Sequence, residues 1–180
     1  MAGGIKIGIT GLPGSGRTKL LLSLVEMLES EKKKVGGILT KPVIEDGKVT
    51  GFMMQDYMTK EEVMVASTHI TSRNRIDQLG IDKDKLGIIS MNAIKRAVYE
   101  ADFVIIDEIG KVQLTNEYFN KAVLNALKSN KPIIMTIYKK SRSSLLQEIR
   151  RRDDIRMLEV TPVNRGILSF KIFNVLKESL

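Results

Sequence analysis

The fold is decided by the stretch Gly11-Leu12-Pro13-Gly14-Ser15-Gly16-Arg17-Thr18. It follows the apolar run Ile5 to Thr10 and leads directly into a helical pattern from Lys19 to Glu29, so it lies where a strand turns into a helix. Glycines at both ends of such a loop allow consecutive backbone N–H groups to surround phosphate oxygens, and the following helix directs its positive end at the same anion. The sequence therefore predicts a phosphate-binding loop over residues 11–19.

Two side chains of this loop are candidates for chemistry. In the pattern G-x-x-x-x-G-K-S/T the hydroxyl ligates the Mg²⁺ that accompanies a nucleoside triphosphate, and Thr18 occupies that position. The lysine position holds Arg17, whose planar guanidinium is bulkier than an ammonium and forked in its charge. We expect Arg17 to clamp the β- and γ-phosphates, and the substitution favours binding over fast catalysis.

A second diagnostic stretch is Phe103-Val104-Ile105-Ile106-Asp107-Glu108. Four apolar residues closed by two carboxylates place the acids at the carboxyl edge of a central strand, where ligands bind in open α/β sheets. Asp107 is predicted to hold Mg²⁺, and Glu108 to orient or deprotonate the attacking water. The alternative for Glu108 is a purely structural role, in which it accepts backbone N–H groups or pairs with a lysine.

Further candidates follow the later strands. Thr136 either hydrogen-bonds the same water or is an ordinary strand residue, and Arg142, with Lys139, either acts as an arginine finger on the γ-phosphate or is solvated. Arg165 is predicted to touch the base or a phosphate, whereas Asn164 is read as a helix cap. The lone His69 is assigned no function.

The order of the elements predicts an α/β fold, a three-layer, doubly wound and mostly parallel sheet, in one domain over residues 1–180. Asp46-Gly47 between extended runs predicts an antiparallel hairpin insertion over about residues 42–56. Val63 to Ala66 is read as a strand, and residues 67–74 as a loop.

Several helix boundaries are also predicted from caps and breakers. Gly36-Gly37 is expected to stop the first helix, Ser90 and Thr115 to cap two later helices, and Ser144 with Gln147 to form a capping box. The last helix is expected over residues 163–180, with an inward stripe of Ile167, Phe170, Phe173 and Leu176.

The composition limits the class of protein. A chain of 180 residues with 43% hydrophobic content can build one core, and it has no cysteine and no run of about 18 apolar residues. We therefore predict a cytoplasmic protein without a membrane partner. The formal charge of +8 favours polyanionic partners, and with 5% aromatic residues nucleic acid is less favoured than a nucleotide. The sequence indicates no oligomeric state.

These motifs, taken in order along nearly the whole chain, resemble the thermophilic or cancer-related nucleoside triphosphatases. The segments that carry the resemblance are residues 11–18, 36–40 with the hairpin to Gly51-Phe52, 105–110 with Leu114 and Phe119, and Asn164-Arg165. The resemblance implies a RecA-like sheet and a Mg²⁺-dependent hydrolase that tolerates many bases. Arg17 departs from the family's lysine, Ile44 and Val49 stand near positions where it has arginines, and Lys111 to Leu114 replaces its Pro-Met-Glu-Leu.

Two other functions are compatible with the same residues. A nucleoside or nucleotide kinase would transfer the phosphoryl group to a small hydroxyl compound, and the basic stretch from Lys139 to Arg152 would serve as its lid. A nucleotide-responsive binding protein would keep the loop and lack hydrolysis. Phosphate release that depends on an added nucleoside favours the former, and tight binding without release favours the latter.

Overall fold

One nine-stranded sheet runs through the computed structural model in the residues it describes, 4–140 and 142–178. The strands are β1 (Lys6–Gly11), β2 (Val35–Glu45), β3 (Lys48–Asp56), β4 (Glu62–Ser67), β5 (Arg75–Ile76), β6 (Leu79–Ile81), β7 (Phe103–Ile109), β8 (Ile133–Tyr138) and β9 (Ile155–Glu159). The helices are α1 (Arg17–Ser30), α2 (Lys83–Glu100), α3 (Lys111–Leu114), α4 (Glu117–Lys128), α5 (Ser144–Arg151) and α6 (Arg165–Glu178).

The strand order is β5-β6-β4-β3-β2-β7-β8-β1-β9. Strands β2, β7, β8, β1 and β9 are parallel, and β3, β4, β6 and β5 extend the sheet in antiparallel fashion. The predicted α/β fold is therefore confirmed. The hairpin turn is at Asp46-Gly47, and both residues have positive φ, as a tight hairpin turn requires. The antiparallel part is larger than the predicted insertion because β4, β5 and β6 join it.

Helices cover both faces of the sheet. Strand β7 is continuously apolar because both of its faces are covered. Phe103 and Ile105 pack into the core under α1 and α6, whereas Val104 and Ile106 pack into the core under α2, α4 and α5. All four side chains have no exposed surface. Since successive side chains point to opposite faces, both faces of a central strand have to be apolar. Asp107 is the next residue of β7 whose side chain points to the face covered by α1.

Three predicted caps are wrong. Helix α2 begins earlier, at Lys83, where Asp82 accepts a hydrogen bond from the Lys85 N–H; Ser90 is buried inside the helix and donates to the Leu86 carbonyl. Each of the other two caps is one residue away from its predicted position, because Asn116 caps α4 and Ser143 caps α5. In each of these two helices a neighbouring polar residue, Asn116 or Ser143, accepts the hydrogen bond from the free N–H group of the first turn.

The glycine pair also has a different role from the predicted one. Helix α1 ends at Ser30, and Gly36 and Gly37 lie inside β2. Gly37 has a φ of 123°, and a Cβ there would lie 1.9 Å from the Ile105 carbonyl oxygen of the neighbouring strand. The glycine is therefore required for close contact between β2 and β7 rather than for ending a helix.

Helix α6 packs against the core with residues that differ in part from the predicted stripe. Ile167 and Phe170 are 62% and 64% exposed, whereas Ile172 and Leu176 are buried against α1. The predicted stripe is wrong at its first two positions because a spacing of three residues drifts around a helix with 3.6 residues per turn. Among the helices of the described residues, none combines the length and the apolar character needed to cross a membrane.

Candidate active site

The loop between β1 and α1 has the shape of an anion-binding turn. Gly14 and Gly16 have φ values of 79° and 99°, in the left-handed region that favours glycine. Gly16 is the N-cap of α1, makes no side-chain cap, and is followed by a first turn without an acidic residue. No acidic side chain of the first turn therefore offsets the positive end of the helix, which suits a phosphate ligand.

Asp107 lies at the centre of the site and is 1% exposed. Its Oδ1 accepts hydrogen bonds from the Thr136 hydroxyl of β8 at 2.6 Å and from the Thr18 hydroxyl of α1 at 3.1 Å. Burial raises the pKa of Asp107 to about 6, and the charge of Glu108 acts in the same direction; the two hydroxyls and Arg17 act against this shift. Thr18 and Asp107, which the sequence analysis assigned separately to Mg²⁺, are thus in direct contact.

Arg17 reaches across the end of β8 to Glu108. Its Nη1 donates to the Ile137 carbonyl at 2.9 Å, and its Nη2 lies 3.4 Å from Glu108 Oε2. Both side chains are partly buried, so this ion pair is less screened than one on the open surface. The guanidinium is therefore directed at the acid pair, beside the place where the loop would receive a phosphate chain.

Arg165, the first residue of α6, closes the other side of the loop. A Cβ on Gly16 would lie 2.6 Å from both Cδ and Nη1 of Arg165, so this side chain lies directly over the glycine. Asn164 accepts from the Thr161 N–H at 2.7 Å and donates to the Glu159 carbonyl at 3.0 Å. These two hydrogen bonds of Asn164 stabilise the turn that precedes Arg165.

Three predicted residues are not seen in contact with this group. Arg142 is exposed in the loop between β8 and α5, where it lines an open depression with Thr10, Lys140 and Arg150. Lys139 forms an ion pair with Glu159 at 2.5 Å. Lys19 is exposed on the first turn of α1. The structure brings together Arg17, Thr18, Asp107, Glu108 and Thr136, and it places Arg165 beside Gly16 of the loop.

One residue near the acid pair was missed by sequence reasoning. Gln113, in the short helix α3, is 1% exposed; its Nε2 donates to Thr40 Oγ1 at 3.1 Å, and its Oε1 has no hydrogen-bond partner. The available signal was a glutamine between Val112 and Leu114, five residues after Glu108. That signal is weak, because nothing in the sequence shows that α3 turns this side chain back toward β7.

Comparison with known proteins agrees with this geometry. A family model described as NTPase matches residues 6–173. The chain belongs to this NTPase family. A curated family relative, nucleoside-triphosphatase THEP1 of Thermoplasma volcanium, is 39% identical over 173 residues, which cover 96% of this chain and 97% of that protein. The resemblance inferred from the motifs is therefore confirmed.

Solved structures of the family have the same fold. THEP1 from Aquifex aeolicus superposes with a TM-score of 0.83 at 29% identity, covering 96% of this chain and 99% of the other. A human cancer-related nucleoside triphosphatase superposes with a TM-score of 0.82 at 26% identity, covering 98% and 99%. At the level of the family, the prediction of a P-loop nucleoside triphosphatase is confirmed.

Proposed function

We propose that this chain hydrolyses nucleoside triphosphates to nucleoside diphosphates and phosphate, with Mg²⁺ and with broad tolerance for the base. The observation that carries the proposal is the hydrogen bond from Thr18 to Asp107, because it joins the phosphate-binding loop to the acid pair. A phosphate chain held by the loop would therefore lie against both carboxylates. Membership of the NTPase family supports the reaction type.

The residues present fit Mg²⁺. Thr18 and Asp107 offer hard oxygen donors within hydrogen-bond distance of each other, and the carboxylate is sheltered from solvent. In the described residues no cluster of three or more His, Cys, Asp or Glu side chains could hold a metal ion alone. This suits Mg²⁺, which is usually bound by one or two protein groups together with substrate phosphates. When bound, Mg²⁺ would offset the negative charge on the phosphate oxygens.

The remaining chemistry belongs to the side chains. Glu108 takes a proton from water, whose oxygen forms a bond to the γ-phosphorus while the bond from that phosphorus to the bridging oxygen breaks. The diphosphate leaves with the electron pair, and the proton on Glu108 returns to solvent. Arg17 lies 3.4 Å from Glu108 and would stabilise negative charge on the phosphate oxygens.

We further propose that Arg17 makes turnover slow. In this structure the guanidinium is bound to the Ile137 carbonyl and to Glu108. A triphosphate has to compete with Glu108 for the same cation, and an arginine that stays on Glu108 holds the base away from the water. A lysine lacks the forked guanidinium group that lets Arg17 bind the Ile137 carbonyl and Glu108 at the same time.

The proposed tolerance for bases rests on a cavity of about 210 Å³ between the loop and the turn before α6. Its walls include the apolar side chains of Leu12, Pro13, Val160 and Pro162. These apolar walls would contact the flat faces of any base, whereas Ser15, Glu159 and Thr161 supply the polar part of the lining. Arg165 beside Gly16 would add a contact to phosphate or base.

The test is phosphate release from ATP, GTP, CTP and UTP by the wild type and by Glu108→Gln, with Mg²⁺ or with a chelator. We expect Glu108→Gln to lower kcat about 100-fold or more, chelation to abolish release, and the four triphosphates to differ by less than about 10-fold. Equal rates for wild type and Glu108→Gln would refute the assignment of the base.

A kinase is the second candidate, because an open depression at the end of β8 is lined by Lys139, Lys140, Arg142 and Arg150. Such a basic surface could bind the phosphate of an acceptor nucleotide, and Arg142 would then act on the transferred group. Loss of triphosphate that requires an added nucleoside or nucleoside monophosphate would select this function. The cytoplasmic location and the single domain remain predictions.

A further inference from the structure

Gln113 is buried beside the candidate base with an unused acceptor. Its Oε1 is shielded from solvent and has no hydrogen-bond partner, whereas its Nε2 is fixed by the Thr40 hydroxyl of β2 at 3.1 Å. Burying an amide oxygen without a hydrogen-bond partner lowers the stability of the folded protein. A buried acceptor that is held in place but left unpaired is therefore a candidate for contact with a ligand.

This unpaired oxygen faces the same small space as the carboxylate of Glu108. The position that a Cβ would take on Gly110 lies 2.7 Å from Glu108 Oε1 and 3.0 Å from Gln113 Oε1. The two oxygens are therefore no more than 5.7 Å apart, a separation that one water molecule can bridge with two hydrogen bonds of about 2.8 Å. Two acceptors do not bond to each other, and a molecule with two O–H donors satisfies both.

We propose that Gln113 is a catalytic residue that, together with Glu108, holds the attacking water of the proposed hydrolysis. The water donates one hydrogen to Glu108 Oε1, which removes it as the bond to the γ-phosphorus forms, and the other to Gln113 Oε1. With both hydrogens engaged, a lone pair of the water oxygen points away from the two side chains, toward the phosphate held by the loop. This inference rests on the proposed function.

Gly110 has a defined part in this arrangement. Its φ of −121° and ψ of −176° are extended backbone that any residue adopts, so the glycine is not needed for the chain direction. A side chain at this position would press on the Glu108 carboxylate and on Gln113 Oε1, the two groups that would hold the water. The Gly110→Ala variant therefore displaces these two side chains without requiring an unusual backbone conformation.

The experiment measures kcat and KM for ATP, together with thermal unfolding, in Gln113→Met, Gly110→Ala and the control Asn120→Leu. Asn120 is matched because its Oδ1 is also buried without a partner, while its Nδ2 donates to the Leu114 carbonyl. We expect the first two variants to lower kcat about 10- to 100-fold with KM within about 3-fold, and the control to keep the wild-type kcat. Melting temperatures of the first two should stay within about 4 °C of the wild type.

The same substitution is repeated in Glu108→Gln protein as a double-mutant cycle. If Gln113 acts with Glu108 on one water, Gln113→Met lowers kcat less than about 3-fold when the base is absent. An equal loss in both backgrounds, or a wild-type kcat in Gln113→Met, would overturn the proposal while leaving the hydrolysis intact. If wild type and Glu108→Gln release phosphate equally, the proposed function fails, and this inference fails with it.

Discussion

Replacing Asp107 by asparagine should stabilise the protein in the absence of metal and nucleotide. The carboxylate is buried between β7, β8 and α1, and burial raises its pKa to about 6 from an ordinary value of 3.8. An asparagine keeps an oxygen that accepts from Thr136 and Thr18, and it carries no charge to desolvate. The predicted gain is therefore the cost of ionising Asp107 inside the fold.

The magnitude and its pH dependence follow from the two pKa values. Between pH 3.8 and 6 the folded protein keeps a proton that the unfolded chain has released, so each rise in pH favours unfolding. Above about pH 6 both states are ionised and the cost is constant. The calculated destabilisation of the wild type is about 1.5 kcal/mol at pH 5 and about 3 kcal/mol at pH 8.

The assay is denaturant unfolding of both proteins at pH 5 and pH 8 in the presence of a chelator. Other titrating groups are shared by the two proteins, so the difference between their unfolding free energies isolates Asp107. We expect the asparagine variant to be more stable, by a larger margin at pH 8, and to lack the stabilisation by Mg²⁺ and ATP that we expect for the wild type. A variant that is less stable at pH 8, or a margin that shrinks as the pH rises, would refute the reasoning.

Three other predictions test the geometry of the loop and of one helix end. Arg17→Lys should raise kcat for ATP about 10-fold because a lysine releases Glu108, and an unchanged or lower rate in steady-state assays would show that arginine is the adapted residue. Gly16→Ala should weaken ATP binding in calorimetry more than Gly14→Ala does, because both glycines have positive φ but only a Cβ on Gly16 meets Arg165. Asp82→Ala should lower the free energy of unfolding by about 1 kcal/mol, measured with denaturant, by removing the cap of α2; no loss would contradict that cap.

Much of the fold could be predicted because local and global signals agree. The apolar runs of β1, β7 and β8, and the glycine-rich loop between strand and helix, determine the parallel centre of the sheet whatever surrounds them. The hairpin at Asp46-Gly47 is equally local, since its turn needs positive φ. The strands β5 and β6 were missed because they have only two and three residues and are defined by pairing with distant segments.

For the candidate site, the sequence predicted the residues better than their contacts. Thr18 and Asp107 meet because the carboxyl end of β7 and the start of α1 lie at one edge of the sheet, and this follows from topology. The ion pair between Arg17 and Glu108 depends on how far a long side chain reaches across β8, which a sequence does not specify. Gln113 was missed for the same reason, since its importance comes from burial and from an unpaired atom.

Strand β8 determines the width of the cleft. Both β1 and β7 pair with β8 and not with each other, so the ends that carry the loop and the acids are two strand spacings, about 10 Å, apart. Direct neighbours would stand about 5 Å apart and leave no room for a phosphate group between them. The spacing between these two strand ends is thus set by main-chain pairing, so substitutions within the glycine loop change side-chain contacts without changing that spacing.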